Sequence, residues 1–172
     1  MSITFSDILS AERLTEVVDI GANPIDGEPP YKPMLGAGLC RVTGFEPQPD
    51  ALQALLKHKG PNEQYLPYAL GDGAEHTLNI CHAPGMTSLL EPDPMTLDLF
   101  DALKASGKVL QEIPVQTRKL DDISEIKNLD FLKIDIQGSE LSVFKNGVNK
   151  LSRAVAIQTE VSFLTLYKEQ PS

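Results

Sequence analysis

The sequence FLKIDIQGSE, residues 131–140, carries the clearest local structural signal in the chain. A short, mostly apolar strand leads to Asp135, and Gly138 permits a tight turn into a helix over 139–151. Charged residues inside such a strand are unusual unless they are paired or lie at the mouth of a sheet. The segment therefore predicts a strand over 130–136 that ends in the Asp135 carboxylate and leads directly into a helix.

Working outward from this segment, short apolar runs alternate with helical patterns along the chain. Strands are predicted at 15–22, 39–45, 64–70 and 154–163, with a pair of short strands at 77–81 and 86–90. Helices are predicted around 33–37, over 51–60 behind an Asp50 N-cap, and over 93–106. This alternation predicts an α/β fold with a mostly parallel sheet and flanking helices. Ligands of such folds bind beyond the carboxyl ends of the strands.

Acidic residues follow several of the predicted strands. Asp19 precedes Gly21 and could hold a ligand's ammonium group or cap loop amides. Glu46 could accept hydrogen bonds from ribose hydroxyls or be a turn carboxylate. Asp72 could accept from an adenine amino group or belong to an ordinary Gly-Asp-Gly turn. Glu140 could simply favour the start of the helix that follows it.

A family resemblance lies in the order of these elements. The stretches VVDIGAN (17–23), GFEPQPD (44–50), ALGD (69–72), LDDI (120–123) and FLKIDIQGSE (131–140), with Glu160 in the last strand, resemble the FkbM-type methyltransferases. These are S-adenosylmethionine-dependent enzymes with a Rossmann-like class I methyltransferase fold. The resemblance extends from about residue 17 to residue 163.

The resemblance implies a role for each of these residues. Asp19, Gly21 and Asn23 would face the amino-acid end of the cofactor, S-adenosyl-L-methionine. Glu46 would bind its ribose, and Asp72 would lie near its adenine. Asp135 would be the catalytic residue at the mouth of its strand, near the methyl donor and acceptor. Two further acids would support these groups or lie on the acceptor side: Glu140 and Glu160.

Two stretches depart from the family pattern. The family has a second glycine two residues after the asparagine, whereas Asn23 is followed here by a proline-rich loop over 24–30. The chain also stops soon after Glu160, where the family continues through a helix and an antiparallel strand pair. We expect either a short version or a truncation after residue 172. The sheet edge would then be uncovered, and another copy of the chain could cover it as a homo-oligomer.

Composition limits the remaining classes of protein. The 172 residues fit one domain, with residues 1–14 as a lead-in. A net charge of −9 argues against a nucleic-acid partner, and no apolar run is long enough to span a membrane. We expect Cys40 and Cys81 to be reduced in a cytoplasmic protein. The spacing of His76, Cys81 and His82 fits no zinc site, so no metal is expected.

The function predicted from the sequence is O-methylation of a sugar or other small-molecule hydroxyl with S-adenosylmethionine as donor. The acceptor would be a small molecule or a glycan. The alternative is a non-catalytic domain that keeps the fold as a binding or assembly module. A nicotinamide-dependent oxidoreductase and a P-loop enzyme are disfavoured, because the GxGxxG and GK[ST] motifs are absent.

Overall fold

A computed structural model describes residues 12–25 and 27–171. Most of the predicted lead-in (1–11), together with Asp26 and Ser172, lies outside these residues. The described strands, in chain order, are β1 (Thr15–Ile20), β2 (Cys40–Phe45), β3 (Glu63–Leu66), β4 (Ala69–Leu70), β5 (Glu75–Cys81), β6 (Val109–Arg118), β7 (Phe131–Ile134) and β8 (Ala156–Thr159).

The central sheet has five parallel strands in the order β3-β2-β1-β7-β8. The chain passes outward from β1 to β3 and then returns to the other side of β1 for β7 and β8. The direction of travel therefore reverses between β1 and β7, which is where open α/β sheets bind ligands. The predicted α/β class, with a mostly parallel sheet, is confirmed.

Strand β1 forms because it is buried on both faces of the sheet. Val17, Val18 and Ile20 are each 1% exposed, and such strands consist of nearly continuous apolar residues. Val17 packs on one face with Tyr31, Cys40 and Val42. On the other face, Val18 and Ile20 belong to a larger core that includes Phe45, Leu120, Leu132, Ile134 and Val143.

The helices are short, and several predicted boundaries were wrong. They are α1 (Lys32–Gly36), α2 (Pro49–His58), α3 (Pro94–Leu97), α4 (Asp101–Ser106), α5 (Glu140–Lys145) and α6 (Val148–Leu151). Helix α2 has Gln48 as its N-cap, because Pro49 already fits the first helical turn, and Asp50 lies inside that turn. The helix predicted over 139–151 is divided at Gly147, whose own conformation is not helical.

A smaller sheet, in the order β4-β6-β5, corrects the predicted pairing of 77–81 with 86–90. Strand β5 pairs antiparallel with β6, and residues 86–90 contribute only a bridge between Ser88 and Asn79. Strand β6 was not predicted because Pro114 interrupts its pattern. Strand β4 reaches only Thr117 and Arg118, so Pro114 lies where β6 is paired on one side.

Strand β8 is shorter than the strand predicted over 154–163, and most of it is exposed. Its first three residues are exposed, and in the described part of the chain it is the outer strand of the sheet. Val155, Val161 and Phe163, which flank it, are also exposed. None of the described helices is long and apolar enough to cross a membrane.

Candidate functional site

Two adjoining cavities lie where the direction of travel through the sheet reverses. The main cavity has a volume of about 730 Å³, including its open mouth, and residues from the carboxyl ends of β1, β2 and β7 line it. The side cavity has a volume of about 720 Å³ on the same basis and extends to the end of β8. Asn23, Ile25 and Asp135 line both cavities, so the two meet at these residues.

The structure brings most of the predicted site residues to these cavities. Gly21, Asn23, Glu46 and Asp135 line the main cavity. Asp19 and Glu160 line the side cavity, together with Asn23 and Asp135. Asp72 and Glu140 line neither cavity.

Gly21 forms the turn at the end of β1, and only glycine fits there. Its φ is +78°, and a Cβ at this position would lie 2.0 Å from the carbonyl oxygen of Asp135. The amides of Gly21 and Ala22 both donate to the carbonyl of Phe45, each at 3.1 Å. The turn after β1 is therefore fixed between the ends of β2 and β7.

Asp19 is a buried carboxylate with two protein partners. It accepts a hydrogen bond from the Tyr31 hydroxyl at 2.5 Å, and its Oδ1 lies 3.2 Å from Nζ of Lys133. Burial raises the pKa of Asp19, and the Lys133 charge opposes that rise. Lys133 also donates to the carbonyl of Gly21 at 3.0 Å. Asp19 therefore fixes the loop from inside as well as lining the side cavity.

Glu46 is 3% exposed at the end of β2. Its Oε1 accepts from the backbone amide of Gln48 at 2.8 Å. Burial raises the pKa of Glu46, and hydrogen bonds from the amides of Gln48 and Asn23 oppose that rise. A buried acid that is held by amides and lines a cavity is suited to accept hydrogen bonds from a polar ligand.

Asp135 follows β7 and is half-buried where the two cavities meet. Its backbone amide donates to the carbonyl of Ile20 at 3.0 Å, which continues the pairing of β7 with β1. Its Oδ1 accepts from the side-chain amide of Gln137 at 2.7 Å. The position of Asp135 and the orientation of its carboxylate are thus both fixed by neighbouring groups.

Asp72 and Glu140 make hydrogen bonds within the protein, in agreement with the structural roles that the sequence left open as alternatives to ligand binding. Oδ1 of Asp72 accepts from the amide of Ala74 at 2.9 Å and contacts Nε2 of His76 at 2.8 Å, and these contacts lower the pKa of Asp72. Oε1 of Glu140 accepts from the amides of Ile136 and Gly138, at 3.0 and 3.2 Å. Each carboxylate closes a turn.

The apolar walls of the main cavity include Tyr68, which was not predicted as a site residue. The rings of Phe45 and Tyr68 lie 6.4 Å apart, and the guanidinium of Arg118 lies 4.2 Å from the centre of the Tyr68 ring. Residues 84–89 form another wall, and Ser88 within it donates to the carbonyl of Gln137 at 2.7 Å. Tyr68 directly precedes the ALGD stretch (69–72), and this position beside a family motif was the signal in the sequence that could have identified it.

The two cavities suit different ligand groups. The main cavity combines aromatic and aliphatic walls with Glu46 and Asp135, which suits an elongated molecule with a flat apolar part and polar groups. The side cavity is lined mainly by polar, charged and proline residues. Within the described chain, no group of three or more His, Cys, Asp or Glu side chains could hold a metal ion.

Comparisons with known proteins found a family profile that matches most of the chain. The profile of the methyltransferase FkbM domain matches residues 19–172. The 2-O-methyltransferase NoeI of Sinorhizobium fredii (strain NBRC 101917 / NGR234) is 26% identical over 166 residues, which cover 90% of this chain and 66% of that protein. The crystal structure of methyltransferase FkbM from Methylobacillus flagellatus KT matches with 21% identity and a TM-score of 0.47, over 81% of this chain and 30% of that one.

Proposed function

The chain belongs to the methyltransferase FkbM domain family, and we propose that it transfers a methyl group from S-adenosyl-L-methionine to a hydroxyl group of a sugar or other small molecule. One observation carries the proposal. Glu46 and Asp135, which are 89 residues apart in the chain, line a single cavity with an apolar wall between the strand ends.

The residues present suit each part of this donor. Glu46 would accept hydrogen bonds from the ribose hydroxyls, and Phe45 and Tyr68 offer a flat apolar surface for adenine. The loop with Gly21 and Asn23 would face the amino-acid end, with Asp19 beneath it. Asp72 closes a turn outside the cavity, so its part would be to hold the segment that follows Tyr68 and Ala69.

We place the acceptor in the side cavity. Glu160 lines that cavity, and Asp135 lies where it opens into the main one. The cofactor supplies the methyl group, and the protein has to align the acceptor hydroxyl with it and receive the hydroxyl proton. Asp135 is the carboxylate placed to orient that hydroxyl and accept its proton. Glu140 would act through the loop that it closes.

The nature of the acceptor is proposed from two further observations. The related NoeI protein is named a 2-O-methyltransferase, which supports a hydroxyl acceptor. The net charge of −9 favours a small molecule or glycan over a nucleic acid.

We place the reaction in the cytoplasm, because Cys40 and Cys81 are both free and buried.

Isothermal titration calorimetry with S-adenosylhomocysteine tests the donor site. We expect micromolar binding by the wild-type protein and a loss of about 10-fold or more in Glu46→Gln, because the amide replaces an acceptor oxygen with a donor group. Glu75→Gln is the matched control, since Glu75 is exposed on β5 and should leave binding unchanged.

Each other outcome has a definite meaning. No heat at high ligand concentration would contradict the donor site. Binding that is the same in wild type and Glu46→Gln would contradict the role of Glu46. Binding without methyl transfer to any hydroxyl acceptor would support the alternative of a non-catalytic binding module, which the unusual proline-rich loop beside the side cavity also favours.

A further inference from the structure

Gln137 contacts the Asp135 carboxylate at the place where the two cavities meet. Its side-chain nitrogen Nε2 donates to Oδ1 of Asp135 at 2.7 Å. Gln137 itself lines the main cavity. A hydrogen bond to one carboxylate oxygen fixes the rotation of the group, and so fixes where its second oxygen lies.

The backbone of Gln137 is held in an unfavourable conformation. Its φ is +57°, in the left-handed region that residues other than glycine rarely adopt. The Gln137 carbonyl accepts from the Ser88 hydroxyl at 2.7 Å, while Glu140 binds the amides on both sides of it. A strained backbone conformation persists only where the surrounding contacts hold it in place, and such residues cluster at functional sites.

The Tyr167 hydroxyl lies against the end of the Gln137 amide that faces away from Asp135. Its hydroxyl lies 3.3 Å from Oε1 of Gln137 and 3.1 Å from the carbonyl oxygen of Met86. Both of these oxygens only accept hydrogen bonds, and the hydroxyl has one proton, so the two oxygens share it. Burial raises the pKa of Tyr167, which keeps the hydroxyl protonated. With Oε1 facing Tyr167, the nitrogen of Gln137 faces Asp135.

We propose that Gln137 is a positioning residue that orients Asp135 toward the acceptor, and that Tyr167 fixes the orientation of the Gln137 amide. This inference rests on the proposed function, because it assigns Asp135 to the reacting end of the donor. It makes the segment around Tyr167 part of the site, although that segment lies 30 residues beyond Gln137.

A pair of cofactor analogues tests this without knowledge of the acceptor. In sinefungin a carbon replaces the sulfonium sulfur and carries an amine in place of the methyl group, whereas S-adenosylhomocysteine has an uncharged sulfur and no methyl group. The ammonium of sinefungin therefore probes a carboxylate at the reacting end. We expect the wild-type protein to bind sinefungin more tightly than S-adenosylhomocysteine, and Asp135→Asn to remove that preference.

Substitutions of Gln137 and Tyr167 should weaken the binding of sinefungin and leave the binding of S-adenosylhomocysteine nearly unchanged. We expect Gln137→Ala to weaken sinefungin binding by about 10-fold and Tyr167→Phe by about 3-fold, with less than about 2-fold change for S-adenosylhomocysteine. Gln116→Ala is the matched control, because Gln116 is hydrogen-bonded to the carbonyl of Gly73 and lies outside both cavities. In Asp135→Asn, adding Gln137→Ala should cause no further loss.

The outcomes separate this inference from the proposed function. If the wild-type protein binds neither analogue, the donor site is wrong and the inference fails with it. If S-adenosylhomocysteine binds but Gln137→Ala weakens both analogues equally, Gln137 is merely structural and only the inference fails. Unchanged affinity of the Gln137→Ala variant for both analogues would also overturn the inference. Thermal unfolding of each variant establishes that the compared proteins are folded.

Discussion

Gly21 is the residue on which the geometry of the loop depends most directly. Its positive φ turns the chain at the end of β1, and its missing side chain lets the carbonyl of Asp135 approach. The same turn places Asn23 where the two cavities meet. A side chain at this position would therefore disturb β1, β7 and both cavities at once.

Gly21→Ala should lower the free energy of unfolding by about 3 kcal/mol or more, because it combines left-handed strain with a steric clash. Gly36→Ala is the control: Gly36 ends α1, and a Cβ there would meet nothing within 4 Å. Urea unfolding should find Gly36→Ala neutral or slightly stabilising. Equal effects of the two substitutions would contradict the role assigned to Gly21.

At the scale of the elements, Asp130 joins the amino ends of three strands. Its carboxylate accepts from both guanidinium nitrogens of Arg13, at 2.5 and 2.7 Å, and from the amide of Glu16 at 2.8 Å. Its carbonyl accepts from the amide of Val155 at 2.7 Å. The hydrogen bonds from Arg13 are the largest cause of the lowered pKa of Asp130.

This contact should make stability depend on pH in a defined direction. Because the pKa of Asp130 is below its usual 3.8 in the folded state, the contact stabilises the protein above about pH 4 and is lost as pH falls through the folded value. Arg13→Gln should therefore be less stable than wild type at pH 7, with the difference shrinking toward pH 2.5, as measured by urea unfolding.

Arg41→Gln is the control for this prediction, since within the described residues Arg41 has one ion pair, at 3.2 Å from Glu16, rather than a pair of shorter hydrogen bonds. It should change stability less than Arg13→Gln does at pH 7. A difference between Arg13→Gln and wild type that stays constant from pH 7 to pH 2.5 would contradict the role of the Asp130 carboxylate.

At the scale of the whole molecule, β8 leaves one side of the sheet exposed in the described chain. Ile157 within it is 47% exposed, and Val155 beside it is 85% exposed. An exposed strand with apolar side chains is prone to pair with another chain. Association of two copies through this edge stays a prediction.

Light scattering over a range of protein concentrations tests that prediction. We expect concentration-dependent association of the wild-type protein and its loss in Ile157→Lys, since a lysine on an edge strand opposes pairing. Leu110→Lys is the matched control, because Leu110 is an exposed apolar residue on β6. A wild-type protein that stays monomeric at every concentration would contradict the prediction.

The sequence by itself determined the order of strands and turns around the site. Buried parallel strands are recognisable because both faces are apolar, and residues that directly follow them, such as Gly21, Glu46 and Asp135, must lie at one edge of the sheet. It failed where local pattern was weak: Pro114 hid β6, and Gly147 divided a predicted helix. A third error was the strand predicted over 86–90, because residues from that stretch instead form part of the wall of the main cavity.

Only the tertiary structure decided which side chains meet. Lys133 reaches the carbonyl of Gly21 across 112 residues, and Tyr167 reaches Gln137 across 30. It also placed Asp72 and Glu140 in turns that they close, outside both cavities. The physical reason is that a strand's end is set by nearby residues, whereas a hydrogen-bond partner is set by strand register and packing between distant parts of the chain.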